Sequence, residues 1–149
     1  MVEEYKFKFD YPELEEQYNF TSKQLVKDKI NFVISHGNCS DGMMSSTIVQ
    51  KWMTENMIDI SKVTFYHAIH DNDFSELLTI IRDKYVLICD FSFKKDLFDK
   101  MIIATNGNIL ILDHHKTALN ELKYISPKFV TFDMNHSGAF ITIWFYEYS

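Results

Sequence analysis

The sequence predicts an α/β fold, a five-stranded and mostly parallel sheet with helices on both faces. Three observations carry this expectation. From Asn31 onward, short apolar runs alternate with amphipathic stretches, which is the signature of repeated βα units around a parallel sheet. Two of the runs, 85–90 (YVLICD) and 108–112 (NILIL), are almost continuously apolar, as central strands covered on both faces must be. The chain has 149 residues, the size of one domain, and its 46% hydrophobic content against 24% charged is enough to bury a core. With only 4 Gly and 2 Pro, low-complexity and linker-dominated sequence is excluded.

The remaining strands are expected at 31–35 (NFVIS), 62–67 (KVTFYH) and 128–132 (KFVTF). Helices are expected between and after the strands, at 43–56, 75–82, 95–105, 117–123 and 137–148. In the first helix Met44, Ile48 and Trp52 recur at four-residue steps and are expected to face inward, with Gln50, Lys51 and Thr54 on the wet side. Asn106-Gly107 closes the third helix, because both residues tolerate positive φ at a C-terminal cap. Pro127 belongs to the turn into the fifth strand. Residues 1–29 do not fit the repeat and are expected as an appendage on the outside of the 30–149 domain, with Pro12 ahead of a short helix through Leu14 and Tyr18.

Composition also narrows the function classes. The first ten residues carry Glu3, Glu4, Lys6, Lys8 and Asp10, so they contain no signal-peptide core, and no apolar run approaches the ~20 residues that span a bilayer. A soluble, cytoplasmic protein without a membrane partner is expected. The two cysteines, Cys39 and Cys89, have no CxxC spacing and build no disulfide framework; Cys89, inside an apolar strand, reads as a small buried side chain. A net charge of −6 disfavours a broad grip on long duplex nucleic acid. Small phosphorylated ligands remain compatible with it if metal ions supply positive charge.

In open parallel sheets ligands bind beyond the carboxyl ends of the strands, so the residues following each apolar run are the informative ones. The first strand delivers His36-Gly37-Asn38-Cys39-Ser40-Asp41-Gly42, the third ends at Asp90, and the fourth is followed by Asp113-His114-His115. The fifth delivers Asp133, with Asn135, His136, Ser137 and Gly138 behind it. Taken singly, Asp90 or Asp133 reads as a cap or turn residue, and Asp41-Gly42 as a turn. Adjacent imidazoles beside a carboxylate have no such packing role, and four strands pointing carboxylates and imidazoles at one rim call for a cation. Oxygen and imidazole ligands without a thiolate pair favour Mn²⁺ or Mg²⁺ over structural zinc. Such ions serve phosphoryl chemistry. His67 and His70, with Asp71-Asn72-Asp73, read instead as an ordinary polar turn and cap.

At Asp113-His114-His115 the sequence resembles the DHH family of phosphoesterases, named for that triplet. The other motifs stand in the family's order: a glycine-containing acidic loop (His36 to Gly42), Asp90 at the end of the third strand, and Asp133 ahead of Ser137-Gly138-Ala139. The resemblance covers Asn31 to the carboxyl terminus. It implies one or two Mn²⁺ or Mg²⁺ ions and hydrolysis of a phosphate ester or anhydride in a small phosphorylated or short oligonucleotide substrate. It further implies that Asp41, Asp90, His114 and Asp133 hold one ion, that Asp90 bridges to a second served by His36, and that Asp113 supports the neighbouring imidazole. By the same resemblance Asp41, Asp90, His114 and His115 would form the catalytic set, His115 would face the substrate phosphate, and Ser137, Gly138, Asn38 and His136 would contact substrate.

Two departures accompany the resemblance. Many members carry an Asp where this chain has Cys39, and family enzymes add a carboxyl-terminal domain, whereas this sequence runs only to Ser149. A longer parent chain, a partner subunit or a homo-oligomer is the corresponding expectation, with a non-catalytic nucleotide- or metal-binding module as the alternative function. If His36 and His114 are ligands, metal affinity falls below roughly pH 6, where imidazole protonates.

Overall fold

The computed structural model describes residues 25–69, 73–123, 125 and 129–148. Five strands, β1 (Phe32–His36), β2 (Thr64–Ala68), β3 (Val86–Cys89), β4 (Ile109–Asp113) and β5 (Val130–Phe132), form one sheet in the order β2-β1-β3-β4-β5. Every pairing is parallel. Five α-helices accompany them: α1 (Ser40–Glu55), α2 (Leu77–Ile80), α3 (Lys95–Ala104), α4 (Lys116–Leu122) and α5 (Gly138–Tyr148). All five strands and the five helices predicted after Asn31 exist, with bounds displaced by at most three residues.

Strand alternation divides the apolar residues between two cores. Phe32, Ile34, Val86, Ile88, Ile109, Ile111, Val130 and Phe132 face one side, where they meet Leu77 and Ile81 near α2, Phe98 and Met101 of α3, and Leu119 and Leu122 of α4. Val33, Leu87, Cys89, Leu110 and Leu112 face the other, against Val49 and Met53 of α1 and Ile141 and Phe145 of α5. Each fully buried side chain of this size contributes about 1.5–3 kcal/mol, so both layers are needed to hold the sheet. Cys89 is fully buried, as its strand context predicts.

The inward face of α1 is not the predicted one. Gly42, Ser45, Ser46, Val49 and Met53 are buried, whereas Met44 is 54% exposed. The helix turns its small residues inward because it packs closely on β1 and α5, and the Met44-Ile48-Trp52 stripe is left at the edge. Gly42 shows how close the approach is: a Cβ there would lie 2.1 Å from the His36 carbonyl oxygen. Asn106 (φ 55°) and Gly107 (φ 79°) close α3 in the left-handed region, as expected. Of the amino-terminal appendage, residues 25–29 are described; Leu25 joins the α1/α5 core and Lys27 Nζ donates to the Tyr146 carbonyl oxygen at 3.4 Å. The helix expected through Leu14 and Tyr18, and Pro127, lie outside the described residues, as does His70.

From β1 the chain moves outward to β2, then crosses back over β1 to build β3, β4 and β5 in the opposite direction. The reversal leaves a crevice at the carboxyl ends of β1 and β3, where loops diverge to opposite sides and open α/β sheets bind ligands. His36 ends β1, and Asp90 follows β3.

Candidate metal centre

Asp90 is the hub of the crevice. It was expected as the last residue of the third strand, but β3 ends at Cys89 and Asp90 turns into the left-handed region at φ 58°. Asp tolerates this better than most residues, because its short polar side chain bonds locally. The turn leaves the carboxylate only 1% exposed with both oxygens engaged: His114 Nε2 lies 2.7 Å from Oδ1, and the Cys39 thiol donates to Oδ2 at 3.5 Å. His36 Nδ1 is 3.7 Å from Oδ2.

Asp41 approaches from α1. Its Oδ2 is 3.4 Å from His114 Nε2, and its two oxygens accept the first N–H groups of α5, Gly138 N at 2.7 Å and Ala139 N at 2.9 Å. These amides have no partner inside their own helix, so Asp41 satisfies them from another element. Ser137, at the same helix start, accepts from Phe140 N at 3.1 Å, an N-cap contact. The N–H of Gly138, a residue expected to contact substrate, thus faces the Asp41 carboxylate.

Asp113, fully buried at the end of β4, holds the His115 imidazole and the His114 backbone in place. Its Oδ1 accepts from His114 N at 2.8 Å and lies 2.7 Å from His115 Nδ1, while Oδ2 accepts from Ser92 Oγ at 2.7 Å. The rings of His114 and His115 sit 4.3 Å apart. Ser92 escaped the sequence reading; its one signal is its place two residues after Asp90, in the β3–α3 loop.

The charges are unbalanced. Burial pushes the Asp90 carboxyl above its ordinary range, the neighbouring Asp41 carboxylate pushes it further, and the His114 hydrogen bond opposes both. The Asp113 hydrogen bond raises His115, against the opposing effect of burial. Asp90, Asp113, His114 and His115 each offer one ligand atom within 4.8 Å of the others, and so do His36, Cys39 and Asp90. Two groups of donors sharing the buried Asp90 fit a divalent cation, since the lone pairs that share protons here are the ones a cation uses.

Asp133 behaves differently. Its Oδ1 accepts from Asn135 N at 2.9 Å and its Oδ2 is 2.6 Å from His136 Nδ1, while the His136 ring stacks on Phe140 at 4.1 Å. Its carboxylate is therefore engaged by the turn that leads into α5, although Asp133 N bonds the Asp113 carbonyl oxygen at 3.1 Å and so stands beside the cluster. Asn38 sits in the β1–α1 loop at φ 55°. His67 lies on the edge strand β2 with Nδ1 3.3 Å from Ser35 Oγ, in keeping with a structural role.

A cavity of about 410 Å³ opens beside the cluster, bounded by Asp113 and His115 on one side and by Phe74, Phe91, Phe93 and Leu97 on another. Lys94, Thr117 and Glu121 also line it. Its phenylalanines pack edge to face, with ring centroids 5.0–6.0 Å apart. Sequence reasoning missed the cavity, because the third strand is expected to end at Asp90 and no role is read for Phe91 or Phe93.

No protein-family model matches the chain, and no solved structure does. The chain is similar to the uncharacterized protein R106 of Acanthamoeba polyphaga mimivirus, with 36% identity over 122 residues covering 78% of this chain and 29% of R106. The chain thus spans under a third of the length of this curated relative. Among the described residues, no helix is long and apolar enough to cross a membrane.

Proposed function

We propose that the chain is a metal-dependent phosphoesterase of the DHH type, cleaving a phosphate ester or anhydride in a small phosphorylated or short oligonucleotide substrate. The observation that carries this reading is the convergence of Asp41, Asp90 and His114 from three elements, with His114 Nε2 2.7 Å from Asp90 and 3.4 Å from Asp41. One or two divalent ions, Mn²⁺ or Mg²⁺ by the resemblance, would neutralise phosphate charge and lower the pKa of an attacking water.

The chain's own residues have separate tasks. Asp90 and His114 would hold an ion, and Asp113 fixes the His115 ring through Nδ1 and favours its protonated form. His115 stands where the cluster meets the cavity and would face a phosphate oxygen there, and the cavity has room for the group attached to the phosphate. Asp133 and His136 order the turn beside the rim.

The test is hydrolysis of a panel of phosphomonoesters and short oligonucleotides with Mn²⁺, using Asp90→Asn and His114→Ala as controls. Turnover is expected in the wild type alone. Equal turnover in a folded variant overturns the assignment. A second reading, a non-catalytic nucleotide- or metal-binding module, is favoured by Asp41, whose oxygens are both taken by α5 amides. Metal-dependent nucleotide binding without turnover across the panel would select it.

A further inference from the structure

The second donor group is unlike the first. His36, Cys39 and Asp90 place an imidazole nitrogen, a sulfur and a carboxylate oxygen within 4.8 Å of one another. Cys39 Sγ is 3.5 Å from Asp90 Oδ2 and His36 Nδ1 is 3.7 Å from the same oxygen. Nothing in the fold requires a thiol here. Cys39 is the N-cap residue of α1 and makes no side-chain cap bond, so a cap role does not account for its orientation toward Asp90.

Resting on the phosphoesterase reading, we propose that Cys39 is itself a metal ligand, and that this half of the centre selects a borderline, thiophilic cation such as Zn²⁺ or Co²⁺ over Mn²⁺ or Mg²⁺. Soft thiolate donors favour such ions, whereas carboxylate and water ligands suit the hard ones. On binding, the Cys39 thiol gives its proton to solvent and the sulfur exchanges its hydrogen bond to Asp90 for a bond to the ion. The other group, Asp90, Asp113, His114 and His115, holds no sulfur and offers only carboxylate oxygen and imidazole nitrogen. The centre is asymmetric, with Asp90 common to a sulfur-containing side and an oxygen-and-nitrogen side.

The experiment is titration of the chelator-treated, phosphine-reduced protein with Co²⁺, followed by near-ultraviolet absorbance and calorimetry. Cys39→Ser, Cys39→Asp and His114→Ala are titrated alongside. A thiolate-to-cobalt charge-transfer band is expected in the wild type and in His114→Ala, and is absent from Cys39→Ser. Cys39→Asp is expected to shift the preference between Zn²⁺ and Mn²⁺ toward Mn²⁺ by roughly 10–100-fold, the scale on which single changes around a metal move its affinity. Cobalt binding without the band in the wild type overturns the ligand role of Cys39 and leaves the phosphoesterase reading standing. No cobalt binding at all overturns both.

Discussion

Gly138 leaves no space for a side chain against Asp90: a Cβ at position 138 would lie 2.7 Å from both Asp90 Cβ and Asp90 Oδ1. The start of α5 therefore forms a wall of the crevice through its backbone. Gly138→Ala is expected to displace the Asp90 carboxylate, costing about 1–3 kcal/mol of stability by overpacking. Divalent-cation affinity should fall roughly 10–100-fold with it. Denaturant unfolding and titration calorimetry measure the two effects, and unchanged cation affinity would contradict the geometry.

Asp90 is a source of instability in the absence of a cation. Its carboxyl is raised by burial and by Asp41, so the native state binds this proton more tightly than the unfolded chain does. Stability from this group is present at acidic pH and falls as pH rises through the native value, leaving a penalty at neutrality. Asp90→Asn should therefore melt no lower than the wild type at pH 7 without metal. With Mn²⁺ at about 100 times its dissociation constant the wild type should gain about 2.7 kcal/mol, and the variant nothing. A variant that melts well below the metal-free wild type would refute the electrostatic argument.

His115 responds to pH in its own way. Its raised value comes chiefly from the Asp113 hydrogen bond, so the native state holds the imidazolium more tightly than the unfolded chain. That stabilisation is complete below the ordinary histidine value of about 6.5 and is lost as pH rises through the native value. The metal-free stability difference between wild type and His115→Gln should therefore be larger at pH 5.5 than at pH 8.5. A difference independent of pH would show that the Asp113 hydrogen bond does not raise His115.

The two thiols should be chemically distinct. Burial pushes Cys89 up to about 12, whereas Cys39 is partly accessible in the crevice. Under native conditions at pH 8, iodoacetamide is expected to modify Cys39 and to reach Cys89 only after denaturation. Peptide mass spectrometry reads this directly, and a divalent cation that protects Cys39 would connect the result to the metal centre.

Most of the frame is legible in the residues. The near-continuous apolar runs of β3 and β4 locate the sheet centre, and a parallel sheet then brings polar residues from 36, 90, 113 and 133 to one rim. What the sequence does not reveal depends on rotation and shared partners. The inward face of α1 follows small residues, because close contact with β1 mattered more than hydrophobicity. Asp133 and Asp90 look alike as letters after a strand, yet one is engaged by its own turn and the other by three distant side chains. The pairing of Asp41 with the α5 amides, across 97 and 98 residues, has no local signal in the chain.

That long bridge has a consequence for how the crevice comes into being. Asp41 opens α1 directly after β1, whereas α5 follows β5, so the contact between them cannot form until β5 has been added. The cluster is therefore a report on completion: a chain halted after β4 holds His114 and Asp90 without the wall that confines them. Closing such distant contacts carries a loop-closure entropy cost, so the centre is expected to form only together with the complete sheet. A cation that binds only the finished arrangement would act as the latch on the domain.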